Sequence, residues 1–124
     1  MSYQSLGFTQ TLDAGVDLSG SHQRFIDMNA GKAVLPDAGG AAIGVTLDKA
    51  ALGQACPFQQ LGIAQVIAGA GGIAVDAYVA ADAAGGAVAA AAGDVVLGQC
   101  VVAAAAGGVA SVLLIPNVTA VVAA

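Results

Sequence analysis

The segment Ala30-Gly31-Lys32-Ala33-Val34 returns later in the chain as Ala84-Gly85-Gly86-Ala87-Val88, at an offset of 54 residues. The same offset aligns residues 22–55 with residues 76–109 without a gap. Glycines anchor this alignment, because glycine marks turns and positive-φ positions. Further matched pairs are Gly39 with Gly93, Gly44 with Gly98 and Gly53 with Gly107. We therefore predict one structural unit written twice, which favours a scaffold over an enzyme because neither copy carries a set of reactive side chains.

The composition predicts a thin hydrophobic core. Apolar residues make up 58% of the 124 residues, but most of them are Ala and Val, aromatic residues are only 4%, and Trp is absent. Burial stabilises by roughly 25 cal/mol per Å² of apolar surface, and an Ala side chain offers little of it. We therefore expect a single domain that gains stability by forming oligomers or by docking on a larger surface.

Charge is sparse and acidic, with eight Asp, no Glu and three basic residues, for a net charge of −5. Without a basic patch we expect neither nucleic acid nor an anionic membrane as a partner. The uncharged stretch 95–124 is interrupted by polar residues, Gly and Pro, so we predict no transmembrane helix. The first 20 residues lack the charged and apolar regions of a signal peptide, so none is predicted.

The fold class follows from the 18 glycines, since each costs about 1 kcal/mol inside a helix relative to Ala. Short apolar runs between turn residues predict an all-β domain, either a small antiparallel barrel or a sandwich, built from two tandem pseudo-repeats. A short helix is possible at Asp48–Leu52 or Val102–Ala106. The predicted strands are Leu6–Thr11, Gln23–Met28, Lys32–Leu35, Ala42–Leu47, Ala55–Leu61, Ile63–Ile67, Ala77–Ala81, Ala87–Ala91, Val95–Val102 and Val109–Ile115.

We divide the chain into an N-terminal arm (residues 1–20), a β-barrel-like domain (21–116) and a C-terminal tail (117–124).

No catalytic, cofactor or metal site is predicted, and we expect no enzyme activity. His22 is the only histidine, and with Cys56 and Cys100 it gives no zinc-ligand spacing. The two cysteines are interpreted as buried free thiols in a reducing cytosol, with a disulfide as the alternative. A barrel lumen could still hold an apolar ligand, which leaves a carrier function open.

The order of the motifs resembles the small head-decoration, or capsid cement, proteins of tailed bacteriophages, over roughly residues 10–115. In the first copy the motifs are Arg24-Phe25-Ile26, Gly31–Val34, Asp37–Gly40, Ala42–Val45, Ala50–Gly53 and Gly62-Ile63-Ala64. In the second they are Ala77-Tyr78-Val79, Gly86-Ala87-Val88, Gly93-Asp94, Val96-Leu97-Gly98, Ala103–Gly107 and Val112-Leu113-Leu114. The apolar residues Val118–Ala124 depart from that pattern.

The resemblance implies a compact β-protein without catalytic residues, made in the host cytoplasm and bound to the outer surface of the virion head. Its partners would be the major capsid protein and copies of itself, as a homotrimer, and it would stabilise the capsid lattice. Candidate contacts with the capsid are Tyr3, Gln4, Leu6, Phe8, Thr9 and Thr11, together with the exposed loops Pro36–Gly40 and Asp48–Gly53. We expect a chain without residues 1–12 to fold but not to bind shells. The alternative is another phage or bacterial structural β-module, such as a tail, fibre or surface-layer component.

Overall fold

The computed structural model describes residues 5–6 and 9–115, and these form strands joined by turns, with no helix among them. The eleven strands are β1 (Ser5–Leu6), β2 (Thr9–Asp13), β3 (Phe25–Asn29), β4 (Lys32–Val34), β5 (Gly44–Thr46), β6 (Ala55–Gln59), β7 (Gly62–Ile67), β8 (Tyr78–Ala81), β9 (Ala87–Ala89), β10 (Gly98–Val102) and β11 (Val109–Leu114). All the paired strands are antiparallel. The all-β prediction is therefore confirmed.

The strands form two separate sheets. Sheet one has the order β2-β6-β5-β3-β4, and sheet two has the order β1-β7-β11-β10-β8-β9. Neither sheet closes on itself, so the architecture is a sandwich, and the alternative of a closed barrel is wrong. The predicted strand Leu6–Thr11 is also divided, because β1 joins sheet two whereas β2 joins sheet one.

The two sheets are equivalent strand by strand. Strands β2, β6, β5, β3 and β4 of sheet one correspond to β7, β11, β10, β8 and β9 of sheet two, in the same spatial order. The connections also match. The amide of Ala14 donates to the carbonyl oxygen of Gln54 at 2.8 Å, and the amide of Ala68 donates to that of Gly108 at 2.8 Å. We call residues 9–61 the first repeat and residues 62–115 the second.

The equivalence contains a one-residue shift that the ungapped alignment does not show. Phe25 pairs with Val45, and the matching pair in sheet two is Tyr78 with Gln99, so β3 and β8 are offset by 53 residues. The first hairpin turns through two residues at positive φ, Ala30 (53°) and Gly31 (76°). The second hairpin is one residue longer and is held by the Asp82 side chain, whose Oδ1 accepts from the amides of residues 84 and 86 at 2.9 and 2.8 Å. The longer turn restores the offset to 54.

Each repeat has a hydrophobic core on one side of its sheet, which we call the inner face. The core of the first repeat contains Ala14, Leu18, Ile26, Ala33, Ala50, Cys56 and Phe58. The equivalent residues of the second repeat are Ala68, Ile73, Val79, Ala87, Ala104, Ala110 and Val112, all of which belong to or pack against the other cluster. The cores are therefore built from the same positions.

The second core has smaller side chains and is completed by the first repeat. Ile26, Cys56 and Phe58 are matched by Val79, Ala110 and Val112, each of which is smaller. Phe25 and Val45 point to the opposite side of sheet one, which we call its outer face, and join the cluster of the second repeat. The outer face of sheet one thus packs on the inner face of sheet two, in a head-to-tail arrangement.

The N-terminal region is part of this packing from residue 9 onward. Strand β2 pairs with β6 at five positions, and Ala14 and Leu18 have no exposed surface. The proposed division into arm, domain and tail stays a prediction, but within that arm β2 belongs to sheet one, and Ala14 and Leu18 belong to the core of the first repeat.

The possible helices at 48–52 and 102–106 are absent. Both segments are non-helical connections that run into equivalent turns, in which the amides of Gln54 and Gly108 donate to the carbonyl oxygens of Ala51 and Ala105, each at 2.9 Å. Ala50 forms an isolated antiparallel β-bridge with Leu18, and Ala104 forms one with Ile73. These backbone pairings take the place of helical hydrogen bonds. Within the described residues, no helix is long and apolar enough to cross a membrane.

Candidate interaction surfaces

The predicted capsid-contact residues divide between the two sheets. Thr9 and Thr11 lie two residues apart on β2, so they face the same side, and both are exposed. Leu6 lies in β1, which pairs with β7 at the edge of sheet two. Tyr3, Gln4 and Phe8 fall outside the described residues. The structure therefore brings Thr9 and Thr11 together, but it places the strand of Leu6 in the other sheet.

Within the described residues, the edge of β2 that faces away from β6 is open, and only the chain directly after it is bridged to β4, from Ala14 to Ala33. The counterpart of β2, strand β7, is paired on both sides, by β11 and by β1, whereas within the described residues β2 is paired only with β6. An unpaired edge carries backbone donors and acceptors that can accept an added strand. The edge of β2, with exposed Thr9 and Thr11, is one candidate interaction surface. Since β2 belongs to the sheet, removing residues 1–12 would also remove a structural strand, so smaller changes make the better test.

The two predicted loop contacts differ in accessibility. In the loop 36–40, Pro36 is buried, and Gly39 joins the two repeats. Its amide donates to Ala81 at 2.8 Å, and its carbonyl oxygen accepts from Val95 at 3.0 Å. Only Asp37 and Ala38 of that loop are exposed. The segment 48–53 is more accessible, although Ala50 within it is buried. Leu52 is 68% exposed.

A second candidate surface was not predicted from the sequence. Gln99 pairs with Tyr78 on one side and with Leu113 on the other, so the three side chains lie side by side on the outer face of sheet two. Tyr78 is 57% exposed and Leu113 is 46% exposed, and Val109 on the same face is 39% exposed. We call these four residues the Tyr78 face. The sequence feature that could have indicated this surface is the equivalence of Tyr78 and Phe25. An alignment at an offset of 54 does not show it, because these two residues are 53 positions apart.

The titratable groups among the described residues include one histidine, two cysteines and several aspartates, which are spread over both repeats. Within the described part of the chain, no three His, Cys, Asp or Glu side chains lie close enough together to hold a metal ion. Both cysteines are free and buried. Burial raises the pKa of the Cys56 thiol, and the negative charge of Asp48 adds to this. Burial likewise raises the pKa of the Cys100 thiol. Both shifts favour the neutral thiol over the reactive thiolate.

Two cavities of about 110 Å³ lie between the repeats. One is apolar and is lined by residues that include Phe25, Leu97 and Leu114. The other is polar and is lined by residues that include His22 and Thr46, which places His22 beside a space that could hold water. Pockets that bind organic ligands are usually at least about 300 Å³, so neither cavity favours a carrier function.

The sequence matches no protein-family model and no curated protein. Among solved structures, the chain is similar to the head fiber gp8.5 N base of bacteriophage phi29. The TM-score is 0.74 and the identity is 19%, over 89% of this chain and 95% of that chain. At this identity the likeness shows that the two chains share a fold.

Proposed function

We propose that this chain is a structural protein of a bacteriophage head, which binds the outer surface of the shell and stabilises the lattice of the major capsid protein. In this proposal it acts as a homotrimer and by binding alone. The observation that carries the proposal is the shared fold with a phage head fiber base across nearly the whole length of both chains.

The surface properties of the chain support this role. Its net charge of −5 disfavours contact with packaged DNA, which suits a protein on the outside of a head. The open edge of β2 can accept an extended segment of a capsid subunit through backbone hydrogen bonds. The core relies on small side chains, and docking on a lattice stabilises a folded protein by mass action.

Co-sedimentation with undecorated, expanded capsids from the source phage tests the proposal. We expect saturable binding, with a fixed ratio of bound chain to capsid subunit. Thr11→Asp should weaken binding, because it puts a charge beside the open edge of β2. Ala92→Asp places the same charge in an exposed turn of the second repeat and serves as the matched control. Absence of wild-type binding at every concentration would overturn the proposal.

The N-terminal residues are tested separately. Deleting residues 1–4 leaves β1, β2 and both cores in the chain. We expect this variant to keep the wild-type unfolding temperature and to lose shell binding. Full shell binding by the truncated chain would exclude Tyr3 and Gln4 as capsid contacts.

A head fibre component is the second candidate function, because the similar solved structure is described as the base of a head fiber. This is the fibre form of the alternative structural β-module. Electron microscopy of decorated heads separates the two: low knobs at regular lattice positions support the cement role, whereas projections longer than one domain support the fibre role.

A further inference from the structure

Three of the four residues of the Tyr78 face have equivalents in the first repeat that are fully covered, whereas the equivalent of Val109, Ala55, is exposed. The counterparts of Tyr78, Gln99 and Leu113 are Phe25, Val45 and Gln59, which pair in the same order across β3, β5 and β6. Phe25 and Val45 are each 1% exposed, and Gln59 is 0% exposed. These positions are thus an interface in the first repeat, whereas Tyr78 and Leu113 are exposed in the second, although Ser111 beside Leu113 on the same face is buried.

The cause is the head-to-tail packing of the repeats. The outer face of the first repeat is covered by the second repeat at Phe25, Val45 and Gln59, but no third repeat follows in the described chain to cover the outer face of the second. A head-to-tail contact always leaves one such face unpaired, unless further copies continue the arrangement or close it into a ring. Because the equivalent positions of the first repeat are covered by another repeat of the same fold, a further copy of the chain is the occupant for which the structure offers a precedent.

Charge also favours a second copy of the chain. The side chains of the Tyr78 face are one aromatic, two aliphatic and one amide, and none is charged. A chain of net charge −5 repels its own copies, so an uncharged face is where two of them meet at the smallest electrostatic cost. A basic partner would instead be matched by acidic side chains on the docking face.

We propose that the Tyr78 face is the surface through which identical chains associate. This inference rests on the self-association included in the proposed function and assigns the residues that carry it. A second chain that covers Tyr78 and Leu113 also excludes water from Gln99, which lies between them. The Gln99 side chain is already held in place, because it donates a hydrogen bond to the carbonyl oxygen of Asp76 at 3.0 Å.

Sedimentation of the full-length chain in solution, across a range of concentrations, tests the inference. Leu113→Asp puts a charge at the centre of the face and should raise the dissociation constant of self-association by roughly 100-fold. Tyr78→Asp is the second variant, at the more exposed position, in case the first disturbs folding. Leu52→Asp is the matched control, because Leu52 is an exposed leucine in a turn of the first repeat, and it should change the constant by less than about threefold.

Monomeric Leu113→Asp and Tyr78→Asp variants with wild-type circular dichroism, beside an associated Leu52→Asp variant, would support the inference. A wild-type chain that is monomeric throughout would overturn it, as would association of both face variants with wild-type affinity. Dissociation of all three variants alike would also overturn it. The measurement uses no shells, so it is independent of whether the chain binds capsids.

Discussion

The amide of Phe25 donates a hydrogen bond to the carbonyl oxygen of Gly85 at 2.7 Å, which ties β3 of the first repeat to the turn between β8 and β9 of the second. Gly85 has a positive φ of 82°, and a Cβ built on it would lie 2.5 Å from the carbonyl oxygen of Phe25. The close approach of the two backbones therefore depends on glycine at this position.

Gly85→Ala should destabilise the protein more than Gly53→Ala. Both glycines have a φ of +82°, but a Cβ at Gly53 would meet nothing within 4 Å. We expect Gly53→Ala to lower the free energy of unfolding by about 1–2 kcal/mol from backbone strain alone. Gly85→Ala should lose a further ~1–3 kcal/mol, because the new methyl group displaces β3. Urea unfolding followed by circular dichroism measures both losses, and equal losses would mean that the two repeats can separate locally at no cost.

Phe25→Ala and Tyr78→Ala should have very different effects, although the two residues occupy equivalent positions. Phe25 fills the core of the second repeat, so its truncation leaves a cavity and should cost about 3–5 kcal/mol in the free energy of unfolding. Tyr78→Ala should cost less than about 0.5 kcal/mol, because its side chain is mostly in solvent.

Both changes are best made in a Leu113→Asp background, so that association does not contribute to the measured stability. A large loss from Tyr78→Ala in that background would contradict the assignment of Tyr78 to an open face.

The two thiols should be protected in the native state. The pKa of each is raised above the ordinary value of 9.0. Because the folded pKa lies above the unfolded one, this contribution to stability is fully present below pH 9.0 and is lost as the pH rises through the folded pKa. We expect native Cys56 and Cys100 to react with iodoacetamide on the order of 100-fold more slowly than in urea.

The pH dependence of urea unfolding provides the second measurement. The wild-type chain should lose more stability between pH 8 and pH 10 than a Cys56→Ala, Cys100→Ala double variant does. Identical pH profiles for the two proteins would show that the thiols do not contribute.

Much of the fold is readable from the sequence because glycines occupy structurally demanding positions in both repeats. Gly44 and Gly98 are aligned by sequence, and both lie where a Cβ would collide with the neighbouring strand: the carbonyl oxygen of Gln59 in one case and that of Leu113 in the other. Such positions tolerate no side chain, so both copies have glycine there. The repeat can therefore be recognised in the sequence although most other aligned residues differ between the copies. Each of the eleven strands therefore overlaps a predicted one, although β1 and β2 share the single predicted strand Leu6–Thr11.

The interaction surfaces could not be predicted in the same way. Phe25 and Tyr78 are both aromatic residues on short strands, and local sequence does not say which of them will be covered. Their exposure depends on how the sheets stack, which involves residues about 50 positions apart. The extra residue in the Asp82 turn also hides the correspondence between these two aromatics from an ungapped alignment.

The unequal cores give the chain a direction of folding. The core of the first repeat is complete within residues 9–61, whereas that of the second needs Phe25 and Val45. The ribosome releases the first repeat earlier, and N-terminal units generally fold first during synthesis. The self-sufficient half can therefore form while its partner is still being translated, and it offers a finished apolar platform when the later half emerges. Reversing the order of the two halves in a circular permutant would give up that advantage and should slow folding without changing the native contacts.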